Sequence, residues 1–313
     1  MSTTDGGAIT SHPGWGRRIG IALADIKIAH SVFALPFALL AGVLAVDAAS
    51  IASGTVAVLL ALIVVCMVLA RTWAMLVNRL ADHAFDRANP RTARRMIASD
   101  RLSVRDGWII ALGCAALFVL VCTGFWFAAG NPWPVILCVP VLAWIALYSY
   151  TKRFTALCHL FLGGALAASP LAAVIAVDPA VLFSTTGFAV LHIAGFVLFW
   201  VAGFDVAYAL QDLEFDRETG LHSIPARLGW KRAMWVSRAM HVFAFAAIAG
   251  AWWWAPPFGA LMGTACVAVA GLLIWEHLVI RRRGIEGIPM AFFTINGIVS
   301  VVLGGVGVLD VVV

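Results

Sequence analysis

The sequence predicts an all-α, polytopic membrane protein with about nine transmembrane helices and no separate soluble domain. Three observations predict it. Of the 313 residues, 63% are hydrophobic and only 12% are charged, against about 25% charged in an ordinary soluble domain. Apolar runs of roughly 20 residues, the length that crosses a bilayer as a helix, follow one another nearly to the C-terminus. The lysines and arginines fall on one side of those runs.

Taken in order, the spans lie near residues 27–46, 55–80, 108–129, 134–150, 157–177, 187–210, 235–255, 258–280 and 288–309. Residues 1–20 read as a polar tail, without the apolar segment of a cleaved signal. Pro36, Pro140 and Pro170 fall inside spans, where membrane helices tolerate a kink. All 21 lysines and arginines belong to the tail, the start of span one, the ends of spans two and six, or the loops after spans two, four, six and eight. The other connections, "DAAS", "AAGNPWP", "VDPAVLFSTTG" and "APP", hold none. By the positive-inside rule the N-terminus and the basic loops face the cytoplasm, in the cell's inner membrane. The chain is expected to be one membrane-embedded domain over residues 1–313.

Several chemistries find no support. Cys66, Cys114, Cys122, Cys138, Cys158 and Cys266 are scattered within apolar segments, so they read as small core residues, not as a disulfide framework or a zinc site. There is no H-E-x-x-H, no Walker A loop and no dinucleotide-type glycine loop, and the glycines read as helix-packing residues. The basic balance follows topology, and no nucleic-acid partner is expected.

One octapeptide occurs twice. "LADHAFDR" (Leu80 to Arg87) and "LQDLEFDR" (Leu210 to Arg217) each carry D-x-x-x-D followed by arginine, at the same end of helices four spans apart. The match suggests two related halves, spans one to four and five to eight, with a ninth added. Residues four apart share a helix face. Asn78, Asp82 and Asp86 therefore make one polar stripe, and Tyr208, Asp212 and Asp216 another. Two readings stand. The acids are solvated helix ends paired locally with Arg87 and Arg217, or the two stripes face each other and hold Mg²⁺, which takes one or two carboxylates plus substrate phosphates.

The surroundings favour the second. The loop "RANPRTARRMIASDRLSVRD" holds six arginines against two aspartates, although loop arginines are usually topology determinants. After span four, "YSYTKRF" places Tyr148 and Lys152 four apart, with Arg153 beside them, at a helix end where a phosphate would lie.

At this point the chain resembles the UbiA superfamily of intramembrane aromatic prenyltransferases. The resemblance rests on "NRLADHAFD" (Asn78 to Asp86), "YSYTK" (Tyr148 to Lys152) and "DVAYALQDLEFDRETGLHSIPARLG" (Asp205 to Gly229). "HSVFALPFALLAG" and "NPRTARR" are similar to its 4-hydroxybenzoate polyprenyltransferase-like subgroup. The resemblance implies a central cavity opening near the cytoplasmic face. It implies two Mg²⁺ ions held by Asn78, Asp82 and Asp86 on one side and Asp212 and Asp216 on the other, with these aspartates as the catalytic set. Tyr148, Lys152 and Arg153 would bind a polyprenyl diphosphate, whose allylic cation an electron-rich aromatic ring attacks. The expected acceptor is 4-hydroxybenzoate, for respiratory quinone synthesis, with a dihydroxynaphthoate on the futalosine route to menaquinone as the alternative.

Acceptor contacts are expected near Lys27, Asp205 and Tyr208. Lys27 also reads as a snorkelling lysine, and Asp205 as an intramembrane acid with a functional role. A multi-span transporter is the rival from another class. Transporters place their coupling charges near the bilayer midplane, whereas the acids here crowd one end.

Overall fold

The structure, a computed structural model, describes residues 14–26, 33–254 and 257–313. Among them it is helical throughout, with no strand. The helices are α1 (Trp15–Ile26), α2 (Leu35–Ala48), α3 (Ser53–Ala81), α4 (His83–Ala88), α5 (Val104–Ala129), α6 (Trp133–Thr151), α7 (Cys158–Val177), α8 (Thr185–Tyr208), α9 (Leu213–Glu218), α10 (Ile224–Trp254), α11 (Ala260–Arg283) and α12 (Asn296–Val312). Eight of these stretches are long and apolar enough to cross a membrane, and α2 is a shorter apolar helix of 14 residues. Together they account for the expected spans, and the protein is an integral membrane protein.

Local chemistry explains the helix ends. Ser103 Oγ accepts from the Asp106 amide at 3.0 Å and caps α5, which stops where Gly130 turns to φ 68°, a left-handed conformation open to glycine. Ser184 caps α8 through the Gly187 amide at 3.3 Å. Pro140 and Pro170 lie inside α6 and α7 as expected. Pro36 does not lie mid-helix: it occupies the first turn of α2, where a missing N–H leaves nothing unsatisfied.

Residues 15–20, expected to belong to the polar tail, are helical. In α1, Ala22 and Ile26 are buried while Trp15, Ile19 and Leu23 form an exposed stripe, the pattern of an amphipathic helix that no run of 20 apolar residues would reveal. Arg18 Nη1 meets Asp106 Oδ1 at 2.9 Å and holds α1 against α5.

The bundle is organised around α8, which packs against α7 on one side and α10 on the other. Trp200 of α8 is fully buried among Phe37, Phe196 and Phe204. At Gly163 on α7 an added Cβ would lie 2.3 Å from the Leu198 carbonyl oxygen of α8, so only glycine lets these two backbones meet. On the other side α3 packs against α5 and α6, and α6 against α7. The space between α3, α5, α6, α7 and α8 is left open as a cavity.

Candidate active site

Both acidic motifs sit where a long helix breaks. Asp82 separates α3 from α4 with φ −94° and ψ 5°. Asp212 ends a 3₁₀ turn (Ala209–Asp212) and precedes α9 with φ −106° and ψ 9°. These angles fall in the sparsely allowed bridge region. The expectation of one unbroken helical face for each set is thereby corrected, because the helix changes course at the first aspartate. The spacing of four still brings the side chains together. Asp86 N donates to Asp82 O at 2.8 Å, and Asn78 Nδ2 donates to Asp82 Oδ2 at 3.3 Å.

Asp82, Asp86 and Asp212 each meet a cation, and not the local one. Lys152 Nζ lies 2.9 Å from Asp82 Oδ2, and Arg153 Nη2 lies 3.5 Å from Oδ1. Arg95 Nη1 donates to Asp86 Oδ1 at 2.7 Å. Arg91 grips both oxygens of Asp212 through Nε, at 2.8 Å, and Nη2. Its Nη1 donates to the Tyr208 hydroxyl at 3.1 Å, and Asn89 Nδ2 adds a bond to Asp212 Oδ1 at 2.9 Å. Burial opposes the charge on Arg91, but its hydrogen bonds and attraction to Asp212 outweigh that and hold its pKa above the ordinary arginine value. The local pairing of Asp86 with Arg87 and Asp216 with Arg217 does not occur. Arg87 turns to Asp100 at 2.6 Å and Arg217 to Glu214 at 3.5 Å.

The two motifs face one cavity of about 590 Å³. Asn78, Asp82, Asp86, Tyr148, Lys152, Asp205, Tyr208, Asp212 and Asp216 all line it, so the structure brings together nine of the eleven expected site residues. Arg153 stands just outside, donating to the Ala81 carbonyl at 2.5 Å. Lys27 lies outside the described residues. Below this charged head, which reaches down to Arg71 and Asp205, the wall is largely apolar. Along α7 it runs from His159 to Ala176, about 26 Å at 1.5 Å rise per residue, close to the thickness of a hydrocarbon core.

Asp205 is fixed by His159, which lines the cavity beside it. His159 Nδ1 lies 2.7 Å from Asp205 Oδ2, while His159 Nε2 accepts the Ile224 amide at 3.3 Å. A nitrogen that accepts carries no proton, so the ring proton sits on Nδ1 and is donated to Asp205. Arg71, absent from the expected set, also lines the cavity from α3. It lies seven residues before Asn78, about 10 Å deeper, and makes no ion pair with a described carboxylate. Arg71 and Asp205 both lie within electrostatic reach of Tyr148.

Asn89, Arg91 and Arg95 were also missed, read as part of a topology-setting loop. Their signal was the string "NPRTARR" directly after the first motif. Its turn folds back over the site through Thr92 N to Asn89 O at 3.0 Å and Ala93 N to Asn89 O at 2.9 Å.

Among the described residues, no three histidine, cysteine or carboxylate groups gather into a ready-made metal cage. What is present still fits Mg²⁺. Asp86 Oδ2 is buried without a hydrogen-bond partner, and Asp82 Oδ1 has only the Arg153 guanidinium at 3.5 Å, which is costly unless a cation binds closer. A magnesium ion completes its octahedron from water and phosphate oxygens, so a full protein cage is not required.

Comparison with known proteins agrees. The UbiA prenyltransferase family matches residues 34–298. A protein of Acidovorax ebreus named 4-hydroxybenzoate octaprenyltransferase is 33% identical over 254 residues, 79% of this chain and 81% of that one. Its namesake from Paracidovorax citrulli is 32% identical over 242 residues, 75% of each chain. The apo structure of a UbiA homolog from Aeropyrum pernix K1 superposes with a TM-score of 0.76 at 29% identity, covering 91% of this chain and 98% of that one. A UbiA homolog from Archaeoglobus fulgidus, bound to GPP and Mg²⁺, shares the fold at a TM-score of 0.64 and 18% identity, covering 94% and 100%.

Proposed function

The chain belongs to the UbiA prenyltransferase family and is a prenyl-transferring enzyme, and from that premise we propose that it moves a polyprenyl group from polyprenyl diphosphate to 4-hydroxybenzoate. One observation carries the reading. Two carboxylate-bearing helix breaks meet at the head of a single cavity whose remainder is an apolar bore. The head suits a diphosphate with Mg²⁺, and the bore suits a hydrocarbon tail that gains by staying out of water. Family membership sets the transporter aside.

Asn78, Asp82 and Asp86 would hold one Mg²⁺, and Asp212 and Asp216 a second. Bound there, the metal would neutralise the diphosphate and ease its departure. Lys152, Arg153, Arg91 and Arg95 ring the same carboxylates, so their remaining N–H groups would meet phosphate oxygens. As the bond between prenyl C1 and the diphosphate oxygen breaks, its electron pair leaves with that oxygen. A ring carbon of the acceptor then forms the new C–C bond, and its proton passes to an oxygen of the departed diphosphate.

The acceptor is held by the residues around Tyr148. Arg71 takes the carboxylate as a planar bidentate partner. Asp205, oriented by His159, accepts a hydrogen bond from the ring hydroxyl, and Tyr208 closes that side. The N-terminus and the charged mouth face the cytoplasm, in the inner membrane. The relatives named for 4-hydroxybenzoate support this acceptor.

The test is prenyl transfer by purified protein with Mg²⁺ and a long-chain prenyl diphosphate. It offers 4-hydroxybenzoate and dihydroxynaphthoates in parallel, with an EDTA control. Metal-dependent product from 4-hydroxybenzoate is expected. Product from a dihydroxynaphthoate alone would move the enzyme to the other acceptor, and no product from any acceptor would overturn the reading.

A further inference from the structure

Three thiols far apart in the sequence meet in the wall of the bore. Cys66 on α3, Cys122 on α5 and Cys138 on α6 all line the cavity. They pack in one apolar cluster with Leu69, Phe118 and Leu142. Cys138 Sγ points to the Val135 carbonyl at 2.9 Å, which settles its rotamer. In the sequence these cysteines read as small core residues, because nothing local ties one to another.

Their depth is shared. Cys66 lies twelve residues from Asn78 along α3, and Cys138 ten from Tyr148 along α6. At 1.5 Å rise per residue these are about 18 and 15 Å below the polar layer. Ser169 on α7 also lines the cavity, ten residues from His159 and so at a depth of about 15 Å. Side chains no larger than a thiol therefore come from four helices at one level. On α5, Phe118 and Phe125 flank Cys122 about one turn to either side and line the same bore.

We infer that this ring of small residues is the width gate of the bore, and that Cys66, Cys122 and Cys138 set how long a prenyl tail the enzyme takes. The inference rests on the donor being a prenyl diphosphate seated at the charged mouth. Three backbone bonds of an extended chain span about 3.5 Å, so the four bonds of one isoprene unit span about 4.7 Å and the ring meets roughly the fourth unit. A two-unit tail ends above the ring, and a tail of four or more units must thread it. Sulfur, soft and polarisable, suits contact with the alkene carbons that pass.

Binding of geranyl and geranylgeranyl diphosphates tests this without any acceptor, by calorimetry with Mg²⁺ on the full chain in lipid nanodiscs. The unaltered protein binds both. Cys122→Phe and Cys138→Phe should keep geranyl diphosphate within about twofold and weaken geranylgeranyl diphosphate by about tenfold or more, as the last unit of the longer tail loses its burial. Cys122→Leu, a milder filling, should show the same selectivity to a smaller degree. Unchanged affinity for the longer donor would overturn the gate, as would equal loss of both donors across all three variants. Failure of the unaltered protein to bind either would instead remove the donor assignment on which the gate depends.

Discussion

Arg87 and Arg217 act alike in the two halves of the site. Each follows the second aspartate of its motif, and each donates from Nε to a carbonyl of the segment beyond, Ala98 in the loop before α5 and Ala226 in the first turn of α10, at 3.0 Å in both cases. With the matching backbone of Asp82 and Asp212, this makes the octapeptides alike in three dimensions as well as in letters. The terminal arginines brace the segments that follow, which leaves the aspartates free to face the cavity. The likeness supports the reading of two related halves, in which α3 answers to α8.

Asp82→Ala and Asp212→Ala should each lower Mg²⁺-dependent turnover by about 100-fold or more, the scale of losing a group that stabilises developing charge. Both variants should elute from size exclusion as the unaltered protein does. Normal turnover in either would remove that residue from the metal set.

Arg91 joins Asp212 to Tyr208 across the mouth. Arg91→Ala should raise the KM for prenyl diphosphate by about tenfold, the loss of a charge-assisted pair. Arg91→Lys should restore little, because an ammonium cannot span both carboxylate oxygens and a hydroxyl together. Full rescue by lysine would show that charge alone matters there.

Arg71 sits below the acidic motifs, so Arg71→Gln should separate the two substrates. The KM for the acid acceptor should rise by about tenfold or more through loss of a charge partner, while that for prenyl diphosphate stays within twofold. Steady-state kinetics with each substrate varied in turn reads this out. A rise for the donor instead would place Arg71 with the phosphates.

At the opposite end of the bundle, Asp310 Oδ2 accepts the amides of Gly259 at 2.6 Å and Met262 at 3.1 Å, capping α11 from α12. Asp310→Ala should lower stability by about 1 kcal/mol, the usual cost of a lost cap. A thermal melt in detergent would show this, with turnover at moderate temperature unchanged. An unaltered melt would mean that water replaces the cap at no cost.

The spans were legible because each apolar run carries its own signal, and the acids because a spacing of four survives the helix breaks. The breaks themselves were not legible, since Asp82 and Asp212 sit mid-pattern with no proline or glycine to mark them. Arg91 and Arg95 escaped notice for another reason: their roles depend on a turn at Asn89 that folds the loop back over the mouth, and loop arginines are ambiguous without it. Arg71 reads as one of the charges at a span end, although it lies nearly three turns inside α3. The thiol ring required the relative rotation of three helices, which no local pattern encodes.

The charged mouth over a membrane-deep bore has a kinetic consequence. On the proposed reaction, one reactant is dissolved in the bilayer and the other in water, and the mouth is the plane where both can be present. Turnover should therefore follow the donor's mole fraction in the lipid, not its amount per volume of buffer. Adding inert lipid at fixed total donor would slow the enzyme by surface dilution, as it does for any catalyst working at the boundary of two phases.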